Sequence, residues 1–461
     1  MKLLSLDRRM WENFSWPLAL SAAGLILCGL VNLYSISLSH PPSSGLSEFG
    51  KQLIFVGAGA LLCLAAAAVD YGILRKCAIP LFGVGISLLL MVEFFGVKAG
   101  GAQRWLEVPG FRFQPSEFMK PALVIVIATL FSAKEFVKKG LTLRTFAVPA
   151  AFTLLPVGLV LKEPDLGTAG LLGLTALPLF LYARWSRPLK LALGGAAVAL
   201  ALWIAVFGGL EFLLEKKVIR PYQLDRVFTH ANPEDDYNGK GWQIIQSKRA
   251  VGSGQILGRG FHDGTQQKYG FLPAPKTDFA FAALAEEWGF VGCCAVLALY
   301  YTLLCSALAT VRKSRDVFGK YLALGLASVL FCQMAINVAM VTGLFPVVGI
   351  PLPFVSYGGT SLLVTMLCVA GILNVGMRRY QFQSDPVTQN PKVWEESQSI
   401  SLKEKVSQVR RLGPPAPGEP EVFPPFRLPH VKPWLKYTGR RSALQIYRDL
   451  EGPFKAPRTM L

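Results

Sequence analysis

Charge is scarce in this chain. Only 16% of its 461 residues are Asp, Glu, Lys or Arg, while 52% are hydrophobic, a balance that excludes a soluble globule of this size. Acid is scarcer than base: 29 Asp and Glu face 47 Lys and Arg, a formal charge of +18. Histidine occurs four times, and the eight cysteines (Cys28, Cys63, Cys77, Cys293, Cys294, Cys305, Cys332, Cys368) all fall in or beside apolar runs. None has metal-ligand spacing with histidine, so neither a disulfide framework nor a zinc site is indicated. No internal repeat of fixed period is present, which excludes a solenoid.

What the chain has instead is long apolar runs. Ten lie near 16–38, 51–70, 78–97, 118–133, 146–161, 166–183, 189–209, 288–311, 320–344 and 359–377, each close to the ~20 residues that a bilayer crossing needs. The expected fold is an all-α polytopic membrane protein with ten transmembrane helices. Lys and Arg set its orientation. They crowd the N-terminus and alternate loops (Arg75 and Lys76; Lys134, Lys138, Lys139 and Arg144; Arg184, Arg187 and Lys190; Arg312, Lys313, Arg315 and Lys320), and Arg378 and Arg379 close the last run. Both termini are therefore expected in the cytoplasm. The positive charge is this bias plus the tail, so nucleic acid is not an expected partner. The first run is too long for a signal-peptide core and is expected to be retained.

Three parts follow: a cytoplasmic N-terminus at 1–12, a membrane domain at 13–380, and a basic, proline-rich cytoplasmic tail at 381–461. The segment 413–429, "GPPAPGEPEVFPPFRLP", reads as extended or disordered, either solvated or docking a partner. Inside the membrane domain, 211–277 forms one large outer loop between helices 7 and 8, longer than a passive connector requires.

The unusual polar stretches gather on one side. On this topology four face outward: "GAQRWLEVPGFRFQPSEFMK" (101–120), "KEPDLGTAG" (162–170), "LPAPKTDFAFAALAEE" (272–287) and "GLFPVVGIPLPFVSYGGTSLL" (343–363). Polar side chains and irregular backbone persist at membrane depth where they face a cavity or one another. An outward-opening cleft is expected, with 343–363 dipping back as its wall and offering backbone groups to a ligand. Plainer readings stand beside this. Glu117 and Lys120 have the i,i+3 spacing of a structural ion pair. Asp165 suits a turn or a helix cap, and Thr277 or Asp278 could cap the helix that follows. Glu286 and Glu287 sit further along that helix, at the outer interface. "GSGQILGRG" (252–260) lacks the strand and the Lys-Ser/Thr of a nucleotide loop, so that function is rejected. The bases near it (Arg220, Arg226, Lys240, Lys248, Arg249, Arg259) suit either a solvated surface or an anionic head group.

"GAQRW", "FQPSEFMK", "EPDLGTA", "NGKGWQIIQSKRAVGSGQILGRGF", "LPAPKTDFAFAALAEEWGFVG" and "FPVVGIPLPFVSYGGTSLL" together resemble the SEDS (shape, elongation, division and sporulation) family over 16–380. The last wording is similar to the RodA branch. Many members carry Glu and His before the Thr-Asp where this chain has "LPAPKTDF". The family polymerises peptidoglycan in the bacterial cytoplasmic membrane. The resemblance implies lipid II as substrate, a class B penicillin-binding protein transpeptidase and other elongation-complex membrane proteins as partners, and a role in elongation and rod shape. An α-linked donor giving a β-1,4 product implies single displacement, for which one carboxylate base suffices. The resemblance assigns that base to Asp278. It makes Arg104, Lys120 and Arg226 candidates for the pyrophosphate or for loop order, and has Glu117 orient Lys120. Thr277, Ser356, Tyr357, Gly358 and Gly359 would shape the cleft wall. Whether a divalent cation (Mg or Mn) bridges the pyrophosphate is left open, with Asp165 as the residue to hold it. Two rivals are a lipid II flippase, which should show polar features on the inner face, and a non-catalytic scaffold, which explains the tail but not the outer cluster.

Overall fold

A computed structural model describes residues 12–39, 46–99, 102–108, 111–163, 165–186, 234 and 239–378. Seven helices there are long and apolar enough to cross a membrane. They are α1 (Trp16–Ser39), α2 (Glu48–Ala68), α4 (Ala78–Phe95), α7 (Leu143–Lys162), α11 (Ala280–Lys313), α12 (Val317–Val341) and α13 (Gly359–Met377). Two expected spans appear as shorter helices, α5 (Pro115–Phe131) and α8 (Leu166–Tyr182), of 17 residues each. The expected span at 189–209, part of the outer loop and the tail lie outside the described residues. The chain is an all-α polytopic membrane protein in its architecture. Short helices α3 (Gly72–Lys76), α6 (Lys134–Lys139), α9 (Lys240–Ser253) and α10 (Thr265–Lys268) complete the described set.

Burial separates the helices into centre and rim. In α12 and α13, 67% of the apolar window is buried; in α2 it is 11%. Helix α12 contacts α5, α8, α11 and α13, whereas α2 lies against α13, and α1 against α11. Rim residues such as Leu61, Phe94, Phe95, Leu154 and Tyr301 are exposed, as they must be if lipid rather than water is the solvent.

Two features were not expected from the sequence. Residues 97–113 form a small antiparallel sheet, β1 (Val97–Ala99), β2 (Ala102–Val108) and β3 (Phe111–Phe113), with Val97 opposite Trp105 and Leu106 opposite Phe113. Helix α11 is broken at Gly289, where φ is +65° and ψ is −165°. A left-handed conformation there favours glycine. The break separates a buried upper piece carrying Glu286 and Glu287 from the apolar span below.

The glycine-rich 252–260 loop now has a structural purpose. Its carbonyls at Gln255 and Ile256 accept from Phe290 and Val291 N–H at 2.9 and 3.1 Å, and Arg259 and Gly260 N–H donate to Glu286 and Glu287 carbonyls at 3.0 and 3.1 Å. The loop thus satisfies the backbone groups that the broken helix exposes. Helix α9 buries one face and exposes its bases: Ile244, Gln246 and Ser247 are buried, Ser247 Oγ donates to the Val341 carbonyl at 2.8 Å, and Lys248 and Arg249 are exposed.

The segment between α12 and α13 does turn back into the bundle. Tyr300, eleven residues below the break in α11, donates its hydroxyl to the Pro353 carbonyl. That depth is about 16 Å along a helix. Gly29 in the middle of α1 meets the Phe354 and Val355 backbone, so any Cβ there would collide with main chain. Part of the wall's backbone is already engaged: Asn337 Nδ2 donates to the Ile350 carbonyl at 2.7 Å and the Leu352 N–H donates to Ser356 Oγ at 2.9 Å. At membrane depth, side chains of neighbouring elements have replaced the missing helix ladder.

Candidate active site

Backbone pins, rather than a cap, position the Thr277-Asp278 pair. Helix α11 starts at Ala280 with Phe279 as its cap residue, and no side chain there makes a capping bond. The reading of Thr277 or Asp278 as the cap is therefore overturned. Instead three consecutive carbonyls are each held. Lys276 O accepts from Tyr357 N–H at 2.8 Å, Thr277 O from Ser356 Oγ at 2.5 Å, and Asp278 O from Asn337 Nδ2 at 2.9 Å. Asn32 adds a fourth bond, to Ala280 O at 3.1 Å. The Asp278 side chain is partly exposed, facing Gly349: a Cβ built on that glycine would lie 3.4 Å from Oδ2.

Around this carboxylate the four polar stretches meet. Strand β2 supplies Arg104, whose Nε is 3.3 Å from Asp165 Oδ2. Asp165 also caps α8, accepting from Thr168 N–H at 3.1 Å and Thr168 Oγ1 at 2.8 Å, so the capping reading holds and an ion pair is added to it. Gly167 packs on the Val348 backbone, and Thr360 Oγ1 donates to the Arg112 carbonyl at 3.2 Å. Burial pushes the Asp278 carboxyl above its ordinary value; the Thr277 hydroxyl and the Arg104 charge pull it down, and Asp165 raises it. Glu163 is driven further, to about 8, by burial first and by the Asp165 charge second. Among the described residues no three acidic, histidine or cysteine side chains group to hold a metal cation.

Other expected site residues lie on α5 and around the start of α13. Glu117 and Lys120 form an ion pair of 2.7 Å, both buried within α5. Their field reaches Cys368 of α13. Ser356 and Tyr357 touch the turn that carries Asp278 through their bonds to the Thr277 and Lys276 carbonyls. Gly358 N–H donates to Gln52 Oε1 at 3.4 Å, and Gly359 faces the Phe55 ring. Arg220 and Arg226 lie outside the described residues. Glu286 is spent on structure: its carboxylate accepts from Thr265 Oγ1 at 3.1 Å and Gln266 N–H at 3.0 Å. Glu287 accepts from Ser35 Oγ at 2.5 Å. Sequence reasoning passed over Asn32, Gln52 and Asn337, all buried. Each is a lone amide in an apolar run, and that was the signal available.

A model of the FtsW/RodA/SpoVE family, described as "Cell cycle protein", matches residues 16–381. The chain belongs to the SEDS family. It is thereby a multipass protein of the cytoplasmic membrane. Among SEDS relatives, it is 36% identical over 368 residues to the "Probable peptidoglycan glycosyltransferase FtsW" of Trichlorobacter lovleyi, covering 79% of this chain and 93% of that one. It is 34% identical over 358 residues to the "Peptidoglycan glycosyltransferase MrdB" of Escherichia coli K12, covering 77% and 92%. A chain in a solved structure described as "Structural coordination of polymerization and crosslinking by a peptidoglycan synthase complex" superposes with a TM-score of 0.65 at 30% identity, covering 80% of this chain and 99% of that one. With an FtsW relative at 36% and MrdB at 34%, SEDS membership is shared between the branches.

Proposed function

We propose that this SEDS protein is a peptidoglycan glycosyltransferase that polymerises lipid II at the outer face of the cytoplasmic membrane, with Asp278 as general base. The observation that carries the reading is a partly exposed carboxylate whose chain segment, 276–280, is pinned by the 343–363 wall, by α12 and by α1. The acceptor hydroxyl gives its proton to Asp278 as its oxygen attacks C1 of the donor sugar. The lipid pyrophosphate leaves from the opposite side, so the anomeric centre inverts. Arg104 is the described cation nearest in effect to Asp278 and favours its ionised, proton-accepting form. The buried Glu117–Lys120 pair orders α5 beneath the sheet. We further read ten spans with both termini in the cytoplasm and the large loop between helices 7 and 8. The partner we assign is a class B transpeptidase, on the likeness to a synthase complex, and the role is elongation, on the wording "VVGIPLP".

Purified chain with its cognate transpeptidase, incubated with lipid II, tests this. Wild type should make glycan strands, and Asp278→Asn should lose about 10²–10⁴-fold in rate while still folding and binding its partner. Equal strands from both would remove Asp278 as base. An inactive wild type in an intact complex would send the function to lipid II transport. Rescue of rod shape, rather than of septation, in depleted cells tests the elongation role.

A further inference from the structure

At the opposite end of the bundle from Asp278, a cavity of about 280 Å³ opens between helix ends. Phe131 closes α5, Tyr182 closes α8, and Val317 opens α12; each of these helices has its other end at or beside the Asp278 cluster. A helix of 17 residues puts the two sites about 25 Å apart. The cavity lies therefore at the far membrane interface. Its floor is aromatic, with Phe131 and Tyr321 rings 5.3 Å apart and Tyr182 and Tyr321 rings 5.5 Å apart. Its charged lining residues are Arg184 and Lys320, with no acid among them. The Arg184 backbone is fixed by Leu141 N–H, which donates to its carbonyl at 2.6 Å.

Two cations over an apolar, ring-lined floor at a lipid interface match an amphiphile with an anionic head. The chain's own tail is mismatched, since 381–461 holds 13 Lys and Arg against 8 Asp and Glu. Val137 and Tyr182 are 41% and 50% exposed beside the cavity, on the side where hydrocarbon would run. We propose that this cavity binds one anionic phospholipid of the leaflet opposite Asp278, its phosphate between Arg184 and Lys320 and an acyl chain along Phe131, Val137 and Tyr182. The site is separate from the glycan-forming face and does not depend on the role given to Asp278.

Native mass spectrometry of the full chain, titrated in detergent with phosphatidylglycerol, tests it. Wild type should retain one lipid in preference to phosphatidylcholine. Arg184→Gln should weaken retention about 5-fold, and the double Arg184→Gln, Lys320→Gln variant roughly 30-fold. Arg312→Gln, at the same end of the bundle but outside the lining, should leave it unchanged. Arg184 is exposed, so its single substitution reads binding even where the double variant fails to fold. Equal retention by wild type and Arg184→Gln, or of both lipids by wild type, would overturn the proposal. Competition by inorganic phosphate at equal concentration would give the site to a free anion, and displacement by an acidic peptide would give it to a protein; either result also overturns it.

Discussion

Asp278 works against its own burial, and the Thr277 hydroxyl first, then the Arg104 charge, limit the shift. A base must be ionised, so polymerisation should fall as pH drops through the raised Asp278 value. Arg104→Gln removes a lowering charge, and the acidic limb of kcat/KM should move to higher pH. A limb that stays in place would separate Arg104 from the base. Glu163 provides the complementary case. Its folded value of about 8 stands above the ordinary 4.5. Stability is thus fully present below 4.5, declines as pH rises, and is lost through about 8. Glu163→Gln cannot ionise, so its thermal midpoint should hold where the wild-type midpoint drops, in melts taken near pH 5 and about pH 9. Identical pH slopes for the two proteins would contradict the assignment.

At the scale of elements, the re-entrant segment behaves as core. Ser356→Ala removes the bond to the Thr277 carbonyl and the acceptor for Leu352 N–H, a loss of about 1–3 kcal/mol. Polymerisation should fall through a misplaced Asp278, and hydrogen exchange at Leu352 should quicken. Unchanged exchange would show that Ser356 is not the pin. Much of this element was legible in advance: Pro346, Pro351 and Pro353 between apolar runs forbid a continuous helix, and only a cavity-lining or protein-packed path is open to such backbone. What the sequence hid was who satisfies it. Tyr300, Asn337 and Gln52 lie 13 to 306 residues from these partners, and periodicity carries no information at that range. The sheet at 97–113 was hidden for a related reason, since short strands flanked by spans have too few residues to establish alternation. Gly289 hid because a glycine inside an apolar run reads as helix until its φ is known.

The whole molecule divides its work by face. The family likeness covers 16–381 and leaves the rest of the tail outside it. Removing 384–461 should leave lipid II polymerisation in detergent unchanged, whatever the tail does in cells. Loss of strand formation by a chain ending at 383, with its transpeptidase still bound, would place part of the synthetic apparatus in the tail.

The break in α11 has a consequence for insertions. A continuous helix of 34 residues would carry a rotational phase from end to end, and one added residue would turn everything beyond it by about 100°. The left-handed residue at Gly289 resets that phase. One extra residue after Gly289 should rotate the lipid-facing stripe of the span into its neighbours, while the outer piece, held by the 252–260 loop, keeps its own orientation. The outer piece and the span are thus oriented separately, as two segments joined by a clutch.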